Sequence, residues 1–73
     1  MIKIYFGTRD NYEMIGCTED KSTIWTIINS YIEKQNINTF YWIYRDSNPI
    51  EIDYGSHTYF FFIEGITIPQ LFD

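Results

Sequence analysis

Alanine and valine are absent from this 73-residue chain, leucine occurs once (Leu71), and cysteine and histidine occur once each (Cys17, His57). A lone cysteine excludes an intramolecular disulfide framework, and as a small hydrophobe Cys17 is expected to be buried. Five basic side chains face ten carboxylates, leaving a net charge of −5 and an isoelectric point near 4.5. Nucleic-acid backbones and anionic membranes are themselves polyanions, so neither is expected as a direct partner. A basic or nucleic-acid-binding protein is compatible. No apolar run approaches the roughly 18 residues of a membrane span, and "MIKIYFG" lacks the long apolar stretch of a signal peptide, so a cytoplasmic location is expected. No internal repeat, low-complexity tract or linker divides the chain, which reads as one domain.

What the chain has instead is isoleucine and aromatic rings. Fourteen Ile supply nearly all the aliphatic content, and aromatics make up 21% of the residues. Ile, Phe, Tyr and Asn have A/T-rich codons, which points to a low-GC coding sequence. β-Branched and aromatic excess also favours strands. Aromatics bury about 150–250 Å² each, which matters in a chain near the lower size limit for a single core.

"IKIYF" alternates Ile2, Ile4 and Phe6 with Lys3 and Tyr5, the pattern of a half-buried strand. "GTRDN" reads as a turn and "YEMIGC" as a second strand returning as a hairpin. Between Thr18 and Asn36 the period becomes helical: Ile24, Ile28, Tyr31 and Ile32 recur on one stripe, widened by Trp25. Thr18 or Ser22 is expected to cap it, and Asn36 and Asn38 to bracket its exit. "TFYWIYR", "IEIDY" and "TYFFFIE" read as three further strands, separated by "DSNP" and "GSH". The tail "GITIPQLFD" is ambiguous, because Pro69 excludes a central strand but allows an edge or a packed irregular segment. The expected fold is therefore α+β: a small antiparallel sheet of four to five strands, in the order ββαβββ, with one amphipathic helix packed on one face. A variant with the first two strands merged also fits the pattern.

Such a helix covers one face of a sheet only. Strands one and four are amphipathic, turning Ile2, Ile4, Phe6, Ile50, Ile52 and Tyr54 inward and Lys3, Tyr5, Glu51 and Asp53 outward. Strands three and five are apolar on both faces. Phe40, Trp42 and Tyr44 oppose Tyr41, Ile43 and Arg45, while Tyr59, Phe61 and Ile63 oppose Phe60 and Phe62. Periodicity alone leaves either set free to face the helix. Placing Phe40, Trp42, Phe60 and Phe62 beneath it leaves Tyr41, Ile43, Tyr59, Phe61 and Ile63 to be covered by something else, since monomers rarely leave several hundred Å² of contiguous apolar surface in water. Three covers satisfy the count: the tail from Ile66 to Phe72, a second copy in a sheet-to-sheet homodimer, or a protein partner. For the last, Tyr41, Ile43, Tyr59 and Phe61 are the candidate anchors, with Asp46, Glu51, Asp53 and Glu64 as an acidic rim.

Catalytic chemistry has little to build on. Cys17, His57 and Asp53 are the residue types of a nucleophile, a base and an orienting group, but single occurrences in ordinary composition read as a buried thiol and a solvated loop histidine. Glu51, Asp53 and Asp46 could share a Mg²⁺ ion, yet no basic residue follows at nuclease-like spacing and a solvated acidic strand face accounts for them. Exposed rings could stack single-stranded bases, which the charge opposes. No Gly-rich phosphate loop, zinc spacing or nucleophile elbow occurs. No enzymatic activity, cofactor or metal is expected.

In size, acidity, low-GC residue usage and the acid-flanked aromatics of "EIDYGSHTYFFFIEG", the chain resembles in type the small acidic inhibitor proteins of phages and mobile elements, such as anti-CRISPR and anti-restriction proteins. Some of those mimic DNA phosphates. The resemblance implies a non-enzymatic inhibitor or modulator of a nucleic-acid-handling or host-defence protein, acting in the cytoplasm of the host cell. The alternative is a small homodimeric accessory protein without an inhibitory role.

Overall fold

A computed structural model describes residues 1–73. The chain forms β1 (Ile2–Gly7), β2 (Tyr12–Thr18), a 3-10 turn (Lys21–Thr23), α1 (Ile24–Gln35), β3 (Ile43–Arg45), β4 (Ile50–Asp53), β5 (Phe60–Glu64) and a short α2 (Ile68–Leu71). The five strands make one antiparallel sheet in the order β2-β1-β5-β4-β3. The class is α+β and the element order ββαβββ, as the periodicity predicts. Its Cα radius of gyration is 11.3 Å, against about 11 Å for a compact domain of this length.

Register decides which set of aromatics faces α1. Ile4 lies opposite Ile63, Ile63 opposite Ile50, Ile52 opposite Phe61, and Tyr44 opposite Ile52. Opposed residues of antiparallel strands share a face, so Phe61 and Ile63 join Ile2, Ile4, Ile50, Ile52 and Tyr54 beneath Ile24 and Ile28 of α1. Phe61, Ile63, Ile4, Ile52, Ile24 and Ile28 are fully buried, each contributing about 1.5–3 kcal/mol by leaving water. The partition that periodicity leaves open is decided here, and one expected anchor is corrected. Strand five presents its odd residues to the helix while strand three presents Trp42 and Tyr44, and Phe61 is core, not a surface anchor.

Two local devices shape the hairpin and helix. Between Ile4 and Tyr5 the β2 register shifts past Ile15. This bulge turns Ile15 toward the core, where it lines an open cleft with Ile27 and Tyr31 of α1. Gly16 leaves the space α1 needs, since a Cβ there would lie 2.8 Å from Ile27 Cγ2. Neither Thr18 nor Ser22 caps α1: its N-cap residue is Thr23, which makes no side-chain cap bond, and the cap falls one turn earlier, on the 3-10 turn, where Asp20 Oδ1 accepts from Ser22 N–H at 3.0 Å. Asn36 ends α1 in the left-handed conformation (φ 55°), as the asparagine there predicts.

The tail does not reach the helix-free face. Ile66, Ile68 and Leu71 pack against the helix-side core, Phe72 meets Tyr44 edge-on at 4.8 Å, and Lys21 Nζ donates to Gln70 O at 2.9 Å. Thr67 and Gln70 form a capping box around α2, with Pro69 in its first turn.

The third strand is shorter than predicted. Only Ile43–Arg45 pair in register with β4, and Phe40 N–H donates to Tyr54 O at 3.0 Å two positions out of that register. The irregularity turns Phe40 and Tyr41 outward, leaving them 73% and 39% exposed.

Candidate functional site

The helix-free face answers the covering question with its own side chains. Met14, Tyr5, Phe62, Glu51 and Arg45 form one cross-strand row from β2 to β3. Phe60 and Phe62 are only 5% and 4% exposed although no helix lies over them. Tyr12 stacks on Phe62 with centroids 4.3 Å apart and meets Tyr5 edge-on at 5.2 Å. Arg9, in the turn between β1 and β2, sets its guanidinium 4.8 Å from the Phe60 centroid. A cation over a ring face is attracted by the ring quadrupole. The β1–β2 hairpin therefore folds its own cation and ring over the phenylalanines, and neither the tail nor a second chain is needed there.

The same arginine reaches an acid. Arg9 Nε and Nη2 donate to Glu51 Oε1 and Oε2 at 2.8 and 3.0 Å, a bidentate fork. Arg45 bridges from the edge, donating to Glu51 Oε2 and to Asp53 Oδ2, both at 3.0 Å. Gly55 N–H donates to Asp53 Oδ1 at 2.9 Å. Glu51 and Asp53 are buried, and no buried polar side-chain atom lacks a partner. These two carboxylates, expected in an acidic rim, are instead neutralised inside the sheet's own polar layer. The cross-strand match of Arg45 with Glu51 and Asp53 was legible in the outward sets of strands three and four. Arg9 and Tyr12 were not, because their reach depends on how the hairpin folds over β5.

The Arg9 hydrogen bonds, reinforced by Arg45, hold the Glu51 carboxyl below the ordinary carboxylate range. For Asp53 the Gly55 N–H is the largest cause of the same shift, with Arg45 adding to it. Groups with depressed folded values stabilise the protein fully above the unfolded value, about 4, and the stabilisation disappears as pH falls through the folded values. Urea midpoints are accordingly expected to be insensitive to these groups above about pH 5 and to fall steeply below about pH 4. Glu51→Gln should flatten that fall. A midpoint unchanged down to pH 2 would show that the pairs contribute nothing.

Registers place the remaining residues at two ends of the sheet. β1 and β4 begin, and β2, β3 and β5 finish, at one end. Glu19, Asp20, Asp46 and Glu64 sit there, and Asp46 and Glu64 line one shallow depression with Ser47 and Thr67. Apart from Phe72, held by the tail against Tyr44, the exposed rings sit at the other end. Tyr59, 46% exposed, stacks on Phe6 at 5.7 Å. Phe40 lies over Gly55, next to Ser56, whose Oγ accepts from Tyr59 N–H at 3.0 Å. Ile43, 46% exposed, shares the helix-free face with Asp53. Of the eight expected contact residues, Tyr41, Ile43 and Tyr59 are exposed together near one end, Asp46 and Glu64 stand at the other, and Phe61, Glu51 and Asp53 are buried. Phe40 was missed as an exposed residue because the alternation assigned it to strand three.

Cys17 is exposed on β2, a correction to its expected burial: the bulge sets it opposite Lys3 on the helix-free side. His57 is exposed in the loop before β5 at φ 68°. The two do not come together with Asp53 as a triad. No group of three or more His, Cys, Asp or Glu side chains is placed to hold a metal ion, and no helix is long and apolar enough to cross a membrane. No protein-family model matches the chain, and no significant match is found among curated proteins or solved structures.

Proposed function

We propose that this protein is a non-catalytic binding module that inhibits or modulates a nucleic-acid-handling or host-defence protein, docking through the β3 edge of its sheet. One observation carries the docking surface. Of seven exposed large apolar side chains, four (Phe40, Tyr41, Ile43 and Phe72) flank β3. Scattered singly they would be unremarkable; gathered along one edge they have the composition of interface anchors. The class of partner is inferred from charge: a chain of net charge −5, with carboxylates grouped at the end where β3 finishes, is attracted to basic surfaces. The inhibitory role rests on the resemblance in type to small acidic anti-defence proteins.

The test compares affinity capture by three forms of the protein. Tyr41 and Ile43 are exposed, so the double variant Y41S/I43S is expected to stay folded, within about 1 kcal/mol of the parent, and to lose at least about tenfold in retained partner, the scale of an interface anchor pair. Met14→Ser, on the opposite edge, should retain it. Identical capture by all three would count against the β3 surface.

A further inference from the structure

Resting on that reading, we infer that β3 recognises its partner by strand addition: an extended partner segment pairs antiparallel with Ile43–Arg45, presenting basic residues in its N-terminal half and large apolar residues in its C-terminal half. β3 is bonded to β4 on one side only, so alternate backbone N–H and C=O groups face outward without a strand to receive them. Pairing ends at Arg45, whose carbonyl accepts from Ser47 N–H at 2.9 Å. The opposite edge is blunted. β2 carries the bulge at Ile15 and the exposed Glu13, both of which discourage a further strand.

The edge is graded along its length, and the grading selects the occupant. Phe40, Tyr41 and Ile43 lie at its start and Asp46 at its finish. Arg45 adds no free charge, since Glu51 and Asp53 hold it. A second copy is a poor match. Two-fold antiparallel pairing about Tyr44 would set Asp46 opposite Trp42 of the copy and Arg45 opposite its Ile43, charge against apolar at both ends, and would join two chains of net charge −5. A foreign strand running antiparallel, as every pair in this sheet does, meets Asp46 first and the rings afterwards. That order requires a basic-to-apolar sequence, whose basic half carries the Lys and Arg that otherwise neutralise nucleic-acid phosphates.

The experiment titrates the isotope-labelled full chain with two blocked octapeptides, Lys-Thr-Lys-Thr-Ile-Thr-Tyr-Thr and the same residues in reverse order, and follows backbone amides by NMR. The forward peptide is expected to shift the amides of Ile43, Tyr44 and Arg45 but not those of β2, and to bind about fivefold more tightly than its reverse, the scale of one well-placed surface ion pair. Asp46→Asn should erase the difference. N-methylation of alternate peptide residues should abolish binding in one of the two phases only. Equal affinity for both orders, no binding at millimolar peptide, or indifference to N-methylation overturns strand addition. If only the amides of Phe40 and Tyr41 respond and those of Ile43–Arg45 do not, the mode is wrong while the docking surface stands; if the peptide pairs with β3 but Y41S/I43S loses no partner in capture, the functional reading fails instead. Concentration-dependent protection of the β3 amides without peptide, with a doubled solution mass, would identify a second copy as the occupant and overturn the foreign strand.

Discussion

Phe61→Ala is expected to leave the protein largely unfolded at 25 °C. The Phe61 ring has no exposed surface and lies where sheet and helix meet, with centroids 4.9 Å from Phe6, 5.5 Å from Tyr54, 6.2 Å from Tyr31 and 6.4 Å from Trp42. Truncating a buried phenylalanine costs about 3–5 kcal/mol through lost transfer energy and the cavity left behind. Once chain entropy is subtracted, a domain of this size rarely keeps more than about 3–5 kcal/mol of net stability. The two quantities are comparable, so the variant has almost nothing left to hold it folded. Tyr59→Ala makes the contrast. Its ring is 46% exposed and stacks on the partly buried Phe6, and its loss should cost about 1 kcal/mol. Circular dichroism with urea titration separates the two, and an F61A midpoint within error of the parent would mean that the opposite parity of β5 faces α1.

Arg45→Ala is expected to be the most damaging change to the ion-paired groups of the helix-free face, by about 2 kcal/mol. It removes the bond to Glu51 and the only side-chain partner of Asp53, which keeps just the Gly55 N–H. Removing one partner of a fully buried pair typically costs about 3–5 kcal/mol; here the Arg45 side chain is 42% exposed, so water solvates what remains and the loss is smaller. Arg9→Ala should cost less, because Glu51 retains Arg45. Arg45→Lys should recover only part of the loss, since a single ammonium cannot reproduce a fork that reaches two carboxylates. Urea midpoints at pH 7 check the series, and an R45A value equal to the parent would show that the layer seals the face without stabilising it.

These two predictions separate the parts of the aromatic content. Phe61 belongs to the core, Phe60 and Phe62 belong to a self-covered polar and aromatic layer, and only the rings at the β3 edge and beside Tyr59 remain for a partner. A surface drawn from the whole helix-free face would have been far larger than the one the fold leaves open. Acid and aromatic residues that lie side by side in "EIDYGSHTYFFFIEG" are separated in space. Glu51 and Asp53 are neutralised by arginines, while Glu64 lies at the far end of β5 from Tyr59.

Much of the architecture follows from the residues in order. The alternation of Ile2, Ile4 and Phe6, the helical spacing of Ile24, Ile28 and Ile32 and the left-handed exit at Asn36 are local signals, each read from a few adjacent side chains, whereas Pro69, expected at an edge or in an irregular segment, instead lies in the first turn of α2. The ββαβββ order and the α+β class rest on the local signals. What those signals cannot carry is register between strands distant in sequence. Whether Phe61 or Phe62 faces α1 depends on Ile4 meeting Ile63 across 59 positions, and a one-residue slip would exchange the two faces completely. The covering of Phe60 and Phe62 depends likewise on Arg9 and Tyr12 arriving from another hairpin, and the open edge on β3 ending the sheet. Periodicity assigned side chains to one side or the other of each strand; only the pairing of strands decided which side was inside, because burial is a property of the assembled sheet.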